Sequence, residues 1–260
     1  MATTGKIAVT VRLIGGPTAM IEIGGLRLLT DPTVGSPSHI TTGNRTVTKT
    51  QPPAVPVDEI GPIDAVLLCH DQYGHNVDDS GRQLLSRAPL VMTTLAAAAR
   101  LGDAARAMPP WYHLSLPRPD GGCLRITGVP ARRGTDPATQ LSVEVTGFVL
   151  SGADMPTVYI SGGNARVDVI RAVAERCGPI DIAMLYAGAA DTAVLDGYPA
   201  LTSDEAAQAA QIVDAGTVIP VPAAGWAHVT ESIRDLKAAF ARHGLTDRLR
   251  ILTPGQTATL

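Results

Sequence analysis

The sequence predicts a single α+β domain with two β-rich, helix-covered halves, about residues 1–150 and 151–260. Three observations predict this fold class. The 260 residues are 45% hydrophobic and 17% charged, which is enough apolar material for a sizeable core. Apolar and smaller or polar residues alternate with period two at the start of the chain. Further along, short apolar runs alternate with segments that begin at helix-capping residues.

The first 62 residues predict a β-meander followed by a long surface loop. Residues 7–13 alternate as one strand does, and two apolar runs, Met20–Ile23 and Leu26–Leu29, flank Gly24–Gly25. This glycine pair can adopt the positive φ angles of a tight hairpin. From Asp31 to Pro62 the chain is rich in Pro, Thr, Ser and Gly and has little periodicity, which is typical of a loop that borders a site.

The next segment predicts a buried strand, Ala65–Cys69, that delivers His70 at its carboxyl end. Asp78 or Asp79 can then cap a helix that runs to Ala88. A second predicted helix has Thr94 as its cap, covers residues 95–101 and stops at Gly102.

The second half continues this alternation. A capping box at Thr202–Glu205 opens one of its helices. The predicted strands cover residues 124–127, 143–150, 158–160, 182–185, 218–221 and 249–252, and the predicted helices cover residues 167–176, 203–214 and 233–242.

Composition excludes several classes of partner. The formal charge of −3 argues against a surface built to neutralise nucleic-acid phosphates. No window approaches the ~18 apolar residues of a membrane span. The three cysteines are widely separated and form no CxxC pair, which favours a reducing cytoplasm. We therefore expect a cytoplasmic protein with a small-molecule substrate or ligand, and the oligomeric state stays open.

The segment from Leu67 to Asp79 carries most of the candidate chemistry. It reads Leu-Leu-Cys-His-Asp-Gln-Tyr-Gly-His-Asn-Val-Asp-Asp and directly follows the buried strand. Imidazole, carboxyl and phenol groups are thereby concentrated in one turn, where they can transfer protons or form hydrogen bonds.

This segment and several others resemble the metallo-β-lactamase fold, in particular its soluble hydrolase-like branch. The resemblance covers nearly the whole chain and implies a four-layer αββα sandwich. It rests on the Gly-Gly hairpin that leads to Thr30–Pro32, on the His70 loop, and on residues 129–134, 159–164, 218–222, 225–228 and 252–255.

The same resemblance implies that metal ligands have been lost. Relatives read His-x-His-x-Asp-His here, or a variant such as His-Asp-x-His-x-Asp-Asn. Aligned with the first motif, Gln72 stands in place of a His and Gly74 in place of an Asp. Aligned with the second motif, Tyr73 stands in place of a His and His75 in place of an Asp. Three further ligand positions of the family correspond to Arg133, Gly163 and Pro222.

These replacements predict that the chain holds no dinuclear metal site and needs no cofactor. Zinc sites normally have about four ligands, three of them from the protein in catalytic sites. An Arg side chain offers no lone pair at neutral pH, and neither Gly nor Pro has a ligating side chain. A single-ion site made by His70, His75 and His228 with Asp71 stays open as an alternative.

The residues that remain can act without a metal. We assign acid/base roles to His70, His75 and His228, with Asp71 as the group that orients one imidazole. Tyr73, Arg133 and Trp226 are assigned to substrate binding, with Arg133 as a carboxylate or oxyanion partner.

Each assignment has a structural alternative. The histidines can be satisfied by loop backbone, Asp71 can brace the loop, and Arg133 can fill the former metal site by pairing with Asp71 or another acid. Trp226 can be pocket wall, Asp31 can bond turn backbone, and Cys69 can be a buried structural thiol.

The leading hypothesis is a metal-independent enzyme that acts on a small organic molecule by acid/base hydrolysis or a related elimination or rearrangement. One alternative is a non-catalytic protein that binds a small molecule or partner in the same cleft. A second is a residual mononuclear metallohydrolase.

Overall fold

The structure, a computed structural model, describes residues 7–42, 45–134, 144–189, 200–222 and 225–260. Two mixed β-sheets stack face to face and helices cover their outer faces, so that the αββα sandwich expected from the sequence is confirmed. None of the described helices is both long enough and apolar enough to cross a membrane.

The first sheet contains seven strands in the order β15-β1-β2-β3-β6-β7-β8, and β3, β6, β7 and β8 run parallel to one another. The bounds are β1 Val9–Gly15, β2 Thr18–Ile23, β3 Leu26–Thr30, β6 Ala65–Leu67, β7 Val91–Thr93, β8 Ala105–Ala107 and β15 Thr257–Thr259. A separate hairpin consists of β4, Ser38–Thr42, and β5, Arg45–Lys49.

The second sheet contains six strands in the order β14-β13-β12-β11-β10-β9. Strands β12, β13 and β14 are parallel, and the other neighbours are antiparallel. The bounds are β9 His113–Pro117, β10 Cys123–Pro130, β11 Thr146–Ser151, β12 Val158–Ile160, β13 Ile182–Ala187 and β14 Thr217–Pro222.

The described part contains five α-helices, which are α1 Asp79–Leu85, α2 Leu95–Leu101, α3 Val167–Cys177, α4 Ser203–Ile212 and α5 Ile233–Arg242. Thr202 and Ser232 each form a capping box at the start of α4 and α5. Thr94 caps α2 as the sequence predicts, and Gly102 ends it. Short 3₁₀ helices lie at Val57–Glu59 and Thr246–Arg248.

Apolar side chains on the inner faces of both sheets form the central core. Ile21 and Leu28 of the first sheet and Phe148 and Ile160 of the second belong to the same buried cluster. A second cluster joins the outer face of the second sheet to α3, α4 and α5, and a third covers the outer face of the first sheet with Leu85 of α1. Period-two patterning thus places one set of side chains on each face.

Strands β8 and β9 are not among the predicted elements, α1 ends at Leu85 rather than Ala88, and three further differences concern the arrangement of the chain. The predicted loop from residue 31 to residue 62 contains the β4–β5 hairpin. The predicted strand at residues 249–252 is only a single bridge from Leu249 to Val218, and the closing strand is β15. The two sheets divide between β8 and β9, near residue 110 rather than residue 150, and β15 returns to the first sheet.

Asp78 ties the hairpin region to the loop that carries the candidate site. One carboxylate oxygen, Oδ1, accepts a hydrogen bond from the backbone N–H of Gly81 at 2.8 Å and so caps α1. The other, Oδ2, accepts from the N–H of Gly35 at 2.8 Å and from Lys49 Nζ at 3.2 Å. The Lys49 ammonium also donates to the carbonyl oxygens of Thr33 and Gly35. A buried ion pair with complete hydrogen bonding therefore closes this end of the sandwich.

We predict that Asp78→Ala lowers the free energy of unfolding by about 3–5 kcal/mol, because it leaves the buried Lys49 ammonium without its counter-charge. The neighbouring Asp79→Ala is the matched control, since Asp79 is exposed in the first turn of α1 and its loss removes only about 0.3–1 kcal/mol of helix-dipole interaction. Chemical denaturation of both variants measures the difference. Equal losses for the two variants would contradict this account of the anchor.

Candidate functional site

The candidate site lies at the carboxyl ends of parallel strands from both sheets. In open α/β sheets this edge is where ligands bind, because loops and helix ends converge there. Tyr186, near the end of β13, joins the two sheets by donating a hydrogen bond from its hydroxyl to Asp31 Oδ2 at 2.6 Å. Its hydroxyl also lies 3.0 Å from the carbonyl oxygen of Pro17.

Backbone hydrogen bonds hold the segment between β6 and α1. The N–H of Cys69 donates to Asp31 Oδ1 at 2.8 Å, and its carbonyl oxygen accepts from the N–H of Thr146 at 3.1 Å. The resulting loop buries the side chains of His70 and His75, which are 1% and 8% exposed. The Asp31 carboxylate thus braces the end of β6 and Tyr186 rather than the turn backbone that the sequence analysis offered as its partner.

The β5 strand holds the segment that carries the third histidine. The N–H of Thr50 donates to the carbonyl oxygen of Gly225 at 2.6 Å, and the N–H of Ala227 donates to that of Thr48 at 2.9 Å. These bonds bring Trp226 and His228 against the His75 loop, and both side chains are buried. The hairpin missed in the predicted loop is thus one reason why the histidines meet.

Aromatic rings form a continuous cluster at this edge. The ring centroids of His75 and His228 are 5.3 Å apart, and those of His70 and His75 are 6.2 Å apart. Tyr73 stacks on His75 at 5.4 Å with an interplanar angle of 10°. Trp226 contacts His228 at 5.8 Å.

Arg133 contacts two members of this cluster. Its Nη1 is 3.4 Å from Nε2 of His70, and its guanidinium carbon lies 4.6 Å from the ring centroid of Tyr73. A fixed positive charge therefore faces the histidines from the segment that follows β10.

His75 and His228 line one pocket together. Its other described lining residues are small or apolar apart from Asn76 and Tyr186, and the full set is Pro17, His75, Asn76, Gly163, Tyr186, Ala187, Ala189, Ala200, Val221, His228 and Val229. Both predicted acid/base residues thus contribute to the lining of the same pocket.

Comparison with known proteins identifies the family. The sequence profile of the β-lactamase superfamily domain matches residues 26–221, which is most of the chain. The chain belongs to this superfamily. The family expectation drawn from the His70 loop and its companion motifs is thereby confirmed.

Similar proteins within the superfamily carry hydrolase names. A protein of Pyrobaculum aerophilum named a UPF0173 metal-dependent hydrolase is 26% identical over 234 residues, which is 88% of this chain and 90% of that one. The structure of an isothiocyanate hydrolase from Delia radicum gut bacteria is 20% identical, with a TM-score of 0.78 over 96% of this chain and 98% of that one. A metallo hydrolase of Ignicoccus hospitalis is 16% identical, with a TM-score of 0.71 and coverage of 97% and 98%.

The three site histidines differ from exposed histidines in their protonation. Burial and, after it, the charge of Arg133 lower the pKa of His70 and His75 well below the usual value. The same two causes lower the pKa of His228 to about 4. All three imidazoles are therefore neutral at pH 7, and each presents one ring nitrogen as an acceptor.

Several of these ring nitrogens are buried without a hydrogen-bond partner. They are Nδ1 of His70, both nitrogens of His75 and Nδ1 of His228. Buried polar atoms in proteins almost always have a partner, which in a site is a water molecule, an ion or a ligand. The described protein groups therefore leave hydrogen-bonding capacity of these imidazoles unused.

The donor set does not fit the dinuclear metal centre that the superfamily fold implies. Within the described ranges, no three His, Cys, Asp or Glu side chains lie close enough to hold one ion. The carboxylates nearest the histidines in sequence bind elsewhere, Asp71 to Arg100 and Asp78 to Lys49. Arg133 adds positive charge where divalent cations need negative charge or neutral donors.

Asp71 requires a correction. The sequence analysis assigned it to orient an imidazole, but its Oδ2 accepts a hydrogen bond from Nε of Arg100 on α2 at 2.9 Å. The Asp71 carboxylate thus forms a bidentate ion pair with the Arg100 guanidinium. Arg82 donates to the backbone carbonyl oxygen of Asp71 at 2.6 Å. Asp71 thus braces the loop against α1 and α2, and the alternative in which Arg133 pairs with Asp71 does not hold.

Two aromatic residues assigned to substrate binding lie beside the pocket rather than in its described lining. Tyr73 stacks on His75, and the Arg133 guanidinium also lies over the Tyr73 ring. Trp226 is 4% exposed and packs against Val47, behind the His75 and His228 rings. Tyr73 therefore packs against His75 and Arg133, and Trp226 packs against His75 and His228.

Sequence reasoning missed Tyr186 and Asn76. Tyr186 is the one hydroxyl-bearing residue in the otherwise apolar run of β13, and this break in the pattern is the signal that could have found it. Asn76 directly follows His75, and its Nδ2 donates to Cys69 Sγ at 3.1 Å. Burial raises the pKa of the Cys69 thiol well above its usual value, so Cys69 is a structural thiol as expected.

We predict that His228 makes the protein less stable in mild acid. The unfolded chain takes up a proton near pH 6.5, whereas the folded His228 does so only near pH 4, so stability falls as the pH decreases between these values. The contribution lost over this range is about 3 kcal/mol, of which about 2 kcal/mol is lost by pH 5.

His228→Gln removes this titrating group. The difference between the free energies of unfolding at pH 7.5 and pH 5 should therefore be about 2 kcal/mol smaller in this variant than in the wild type. His113→Gln, at an exposed position in β9, serves as the control and should leave the gap as it is in the wild type. If the two variants depend on pH in the same way, His228 is not held neutral by the fold.

Proposed function

We propose that this chain is a hydrolase of small organic molecules that works through neutral imidazoles and Arg133 in place of a metal pair. One observation carries the proposal: His75 and His228, with unpartnered ring nitrogens, line the same pocket, while Arg133 contacts His70 of the same cluster. This arrangement combines proton acceptors in a pocket with a fixed positive charge close by.

His228 is the candidate general base. Its ring is 5% exposed, so it adjoins both the pocket and the buried cluster. A neutral imidazole can accept a proton from a water molecule as that water attacks an electrophilic carbon. A pKa of about 4 makes His228 a weak base in the resting site. Negative charge that develops nearby raises its proton affinity, because it stabilises the imidazolium.

Arg133 supplies the electrostatic stabilisation. In hydrolysis the attacking oxygen forms a bond to carbon, and the electron pair of the carbon–heteroatom double bond moves onto the heteroatom. A guanidinium already fixed beside the reacting group stabilises this charge without reorganisation. The bond between carbon and the departing heteroatom then breaks while a carbon–heteroatom double bond re-forms, and the imidazolium gives its proton to the departing atom, so that protons balance over the cycle and no external acid is needed.

His75 and Tyr73 hold this machinery together. The ring of His75 contacts the rings of Tyr73 and His228. The Arg133 guanidinium lies over the Tyr73 ring. His70 contacts Arg133 through Nε2. We assign His75 to hold the attacking water with His228, and His70 and Tyr73 to position Arg133.

The structural neighbour named isothiocyanate hydrolase suggests the first substrate to test. An isothiocyanate is uncharged and has an electrophilic carbon to which water can add, with negative charge moving onto nitrogen and sulfur. Neutral imidazoles can accept the proton of the attacking water, and a guanidinium can stabilise the negative charge that develops. A short alkyl isothiocyanate, ethyl isothiocyanate, is therefore the test compound.

We predict that protein treated with EDTA and dialysed hydrolyses ethyl isothiocyanate as fast as untreated protein. His228→Ala should lower kcat/KM by about 10²–10⁴-fold, and Arg133→Met should lower kcat by about 10²–10³-fold. His113→Ala is the matched control and should retain wild-type rates, because His113 lies exposed on β9.

Each other outcome rejects the proposal in a different way. Activity that disappears with EDTA and returns with zinc would instead support a mononuclear metallohydrolase, a function that the unpartnered imidazole nitrogens and the metal-dependent name of the Pyrobaculum relative favour. Tight binding of ethyl isothiocyanate without turnover would support a ligand-binding protein.

A further inference from the structure

Asp31 is a buried carboxyl group that the proposed reaction does not use. It directly follows β3 and is 1% exposed. Within the described residues its carboxyl oxygens are bound by two neutral donors, the Tyr186 hydroxyl and the backbone N–H of Cys69. Tyr186 belongs to β13 of the second sheet, and Cys69 follows β6 of the first. One carboxyl group thus connects three strand ends across both sheets.

The Tyr186 hydroxyl has two close oxygen neighbours but only one hydrogen. It lies 2.6 Å from Asp31 Oδ2 and 3.0 Å from the carbonyl oxygen of Pro17. When Asp31 is ionised, Tyr186 donates to Asp31, and no hydrogen remains for the Pro17 contact. When Asp31 is protonated, it donates to Tyr186, and Tyr186 donates to Pro17. The protonated acid therefore places a hydrogen in both contacts, whereas the carboxylate places one in the first contact alone.

The groups around Asp31 offer its carboxylate no counter-charge. Burial raises the pKa of Asp31 to about 7, although the hydrogen bonds from Tyr186 and Cys69 oppose this rise. Burial also raises the pKa of the Tyr186 hydroxyl and of the Cys69 thiol well above their usual values, so both groups stay neutral. From β2, Thr18 contributes a neutral hydroxyl that donates to the Asp31 carbonyl oxygen. Arg133, whose charge acts on Cys69, contacts His70.

The same contacts adjoin the candidate site. Tyr186 and Pro17 line the pocket that His75 and His228 also line. Cys69 immediately precedes His70 in the loop that carries the site histidines. A change in how Asp31 joins these residues therefore reaches both the pocket wall and the histidine loop.

We propose that Asp31, Tyr186 and Cys69 form a pH-sensitive latch between the two sheets, closed when Asp31 carries a proton and weakened when it is ionised. A buried charge without a counter-charge is unfavourable, so ionisation favours an opened arrangement in which water reaches the carboxylate. The stabilisation is present in mild acid and is lost as the pH rises through about 7. This property belongs to the scaffold and goes beyond the proposed reaction.

Infrared difference spectroscopy between pH 6 and pH 8 tests the proton directly. The wild type should show the carbonyl band of a buried carboxylic acid at pH 6 and lose most of it by pH 8, and Asp31→Asn should lack the band. Asp79→Asn, at an exposed position in α1, is the matched control and should keep it. Tyr186→Phe removes a hydrogen bond that lowers the pKa of Asp31, so its band should persist to higher pH.

Hydrogen exchange of the Cys69 and Thr146 amides tests the latch. The first amide is bound by Asp31 and the second by the Cys69 carbonyl oxygen. Asp31→Asn copies the protonated acid, because its amide can accept from Cys69 and donate to Tyr186, and Asn tolerates the positive φ of 27° at this position. Relative to this variant, wild-type protection should decrease about tenfold between pH 6 and pH 8, since only the wild type gains a charge there.

Each outcome decides the inference whether or not ethyl isothiocyanate is hydrolysed. The absence of an Asp31 band at pH 6 would overturn it, and so would a band that titrates while protection in the wild type and in Asp31→Asn changes equally with pH. If Asp31→Asn does not fold, the shifted band of Tyr186→Phe assigns the acid instead. The pH dependence of protection in the wild type is then compared with that in Tyr186→Phe, where it should begin at higher pH, and an identical dependence would overturn the latch.

Discussion

The site depends on one electrostatic constraint, the positive charge of Arg133 among three buried histidines. The guanidinium contacts Nε2 of His70 and lies over Tyr73, and its field reaches His75 and His228. Together with burial it keeps all three imidazoles neutral, because a second positive charge close by in a poorly solvated region is unfavourable. The same charge disfavours divalent cations at this position. Burial and, after it, this charge thus account for the neutral imidazoles, and the charge also accounts for the poor fit of a metal pair.

The carboxylates around the site serve the scaffold. Asp31 connects the two sheets through Tyr186 and the Cys69 amide, and burial raises its pKa to about 7 despite these bonds. Asp78 neutralises Lys49, and Asp71 pairs with Arg100. In a protein with a metal pair, carboxylates near the site balance the charge of the ions. Here each of these three carboxyl groups already has a partner, so the loop is held by direct ion pairs and hydrogen bonds.

Much of the architecture could be predicted from the sequence, because local signals and the hydrophobic pattern agreed. Gly24 and Gly25 both have positive φ, as their hairpin requires, and Thr94 and Thr202 cap the helices that they were predicted to cap. The β4–β5 hairpin was not predicted because its strands are rich in threonine and contain few apolar residues. Most of their polar side chains are exposed, so no period-two apolar pattern marks them as strands. Its pairing with Trp226 and Ala227 is a long-range contact that no local pattern encodes.

The identity of the site residues could be predicted from the sequence better than the contacts between them. His70, His75 and His228 were identified from the family motifs, and the structure brings them into one cluster with Arg133. The partner of Asp71 could not be derived, since Arg100 lies on a helix 29 residues away and many arginines could have reached it. The contact of Tyr186 with Asp31 and the aliphatic lining of the pocket depend on how the two sheets pack together. This packing is a tertiary property that no local sequence pattern encodes.

The metal content of the protein tests the central claim most directly. The chain would be expressed in medium supplemented with zinc, iron and manganese, purified without chelator and measured by elemental analysis. If Arg133 and the neutral imidazoles stand in place of a metal centre, each of these metals should be well below about 0.1 equivalent per chain. About one or two equivalents of a single metal, lost on substitution of His75 or His228, would contradict the account.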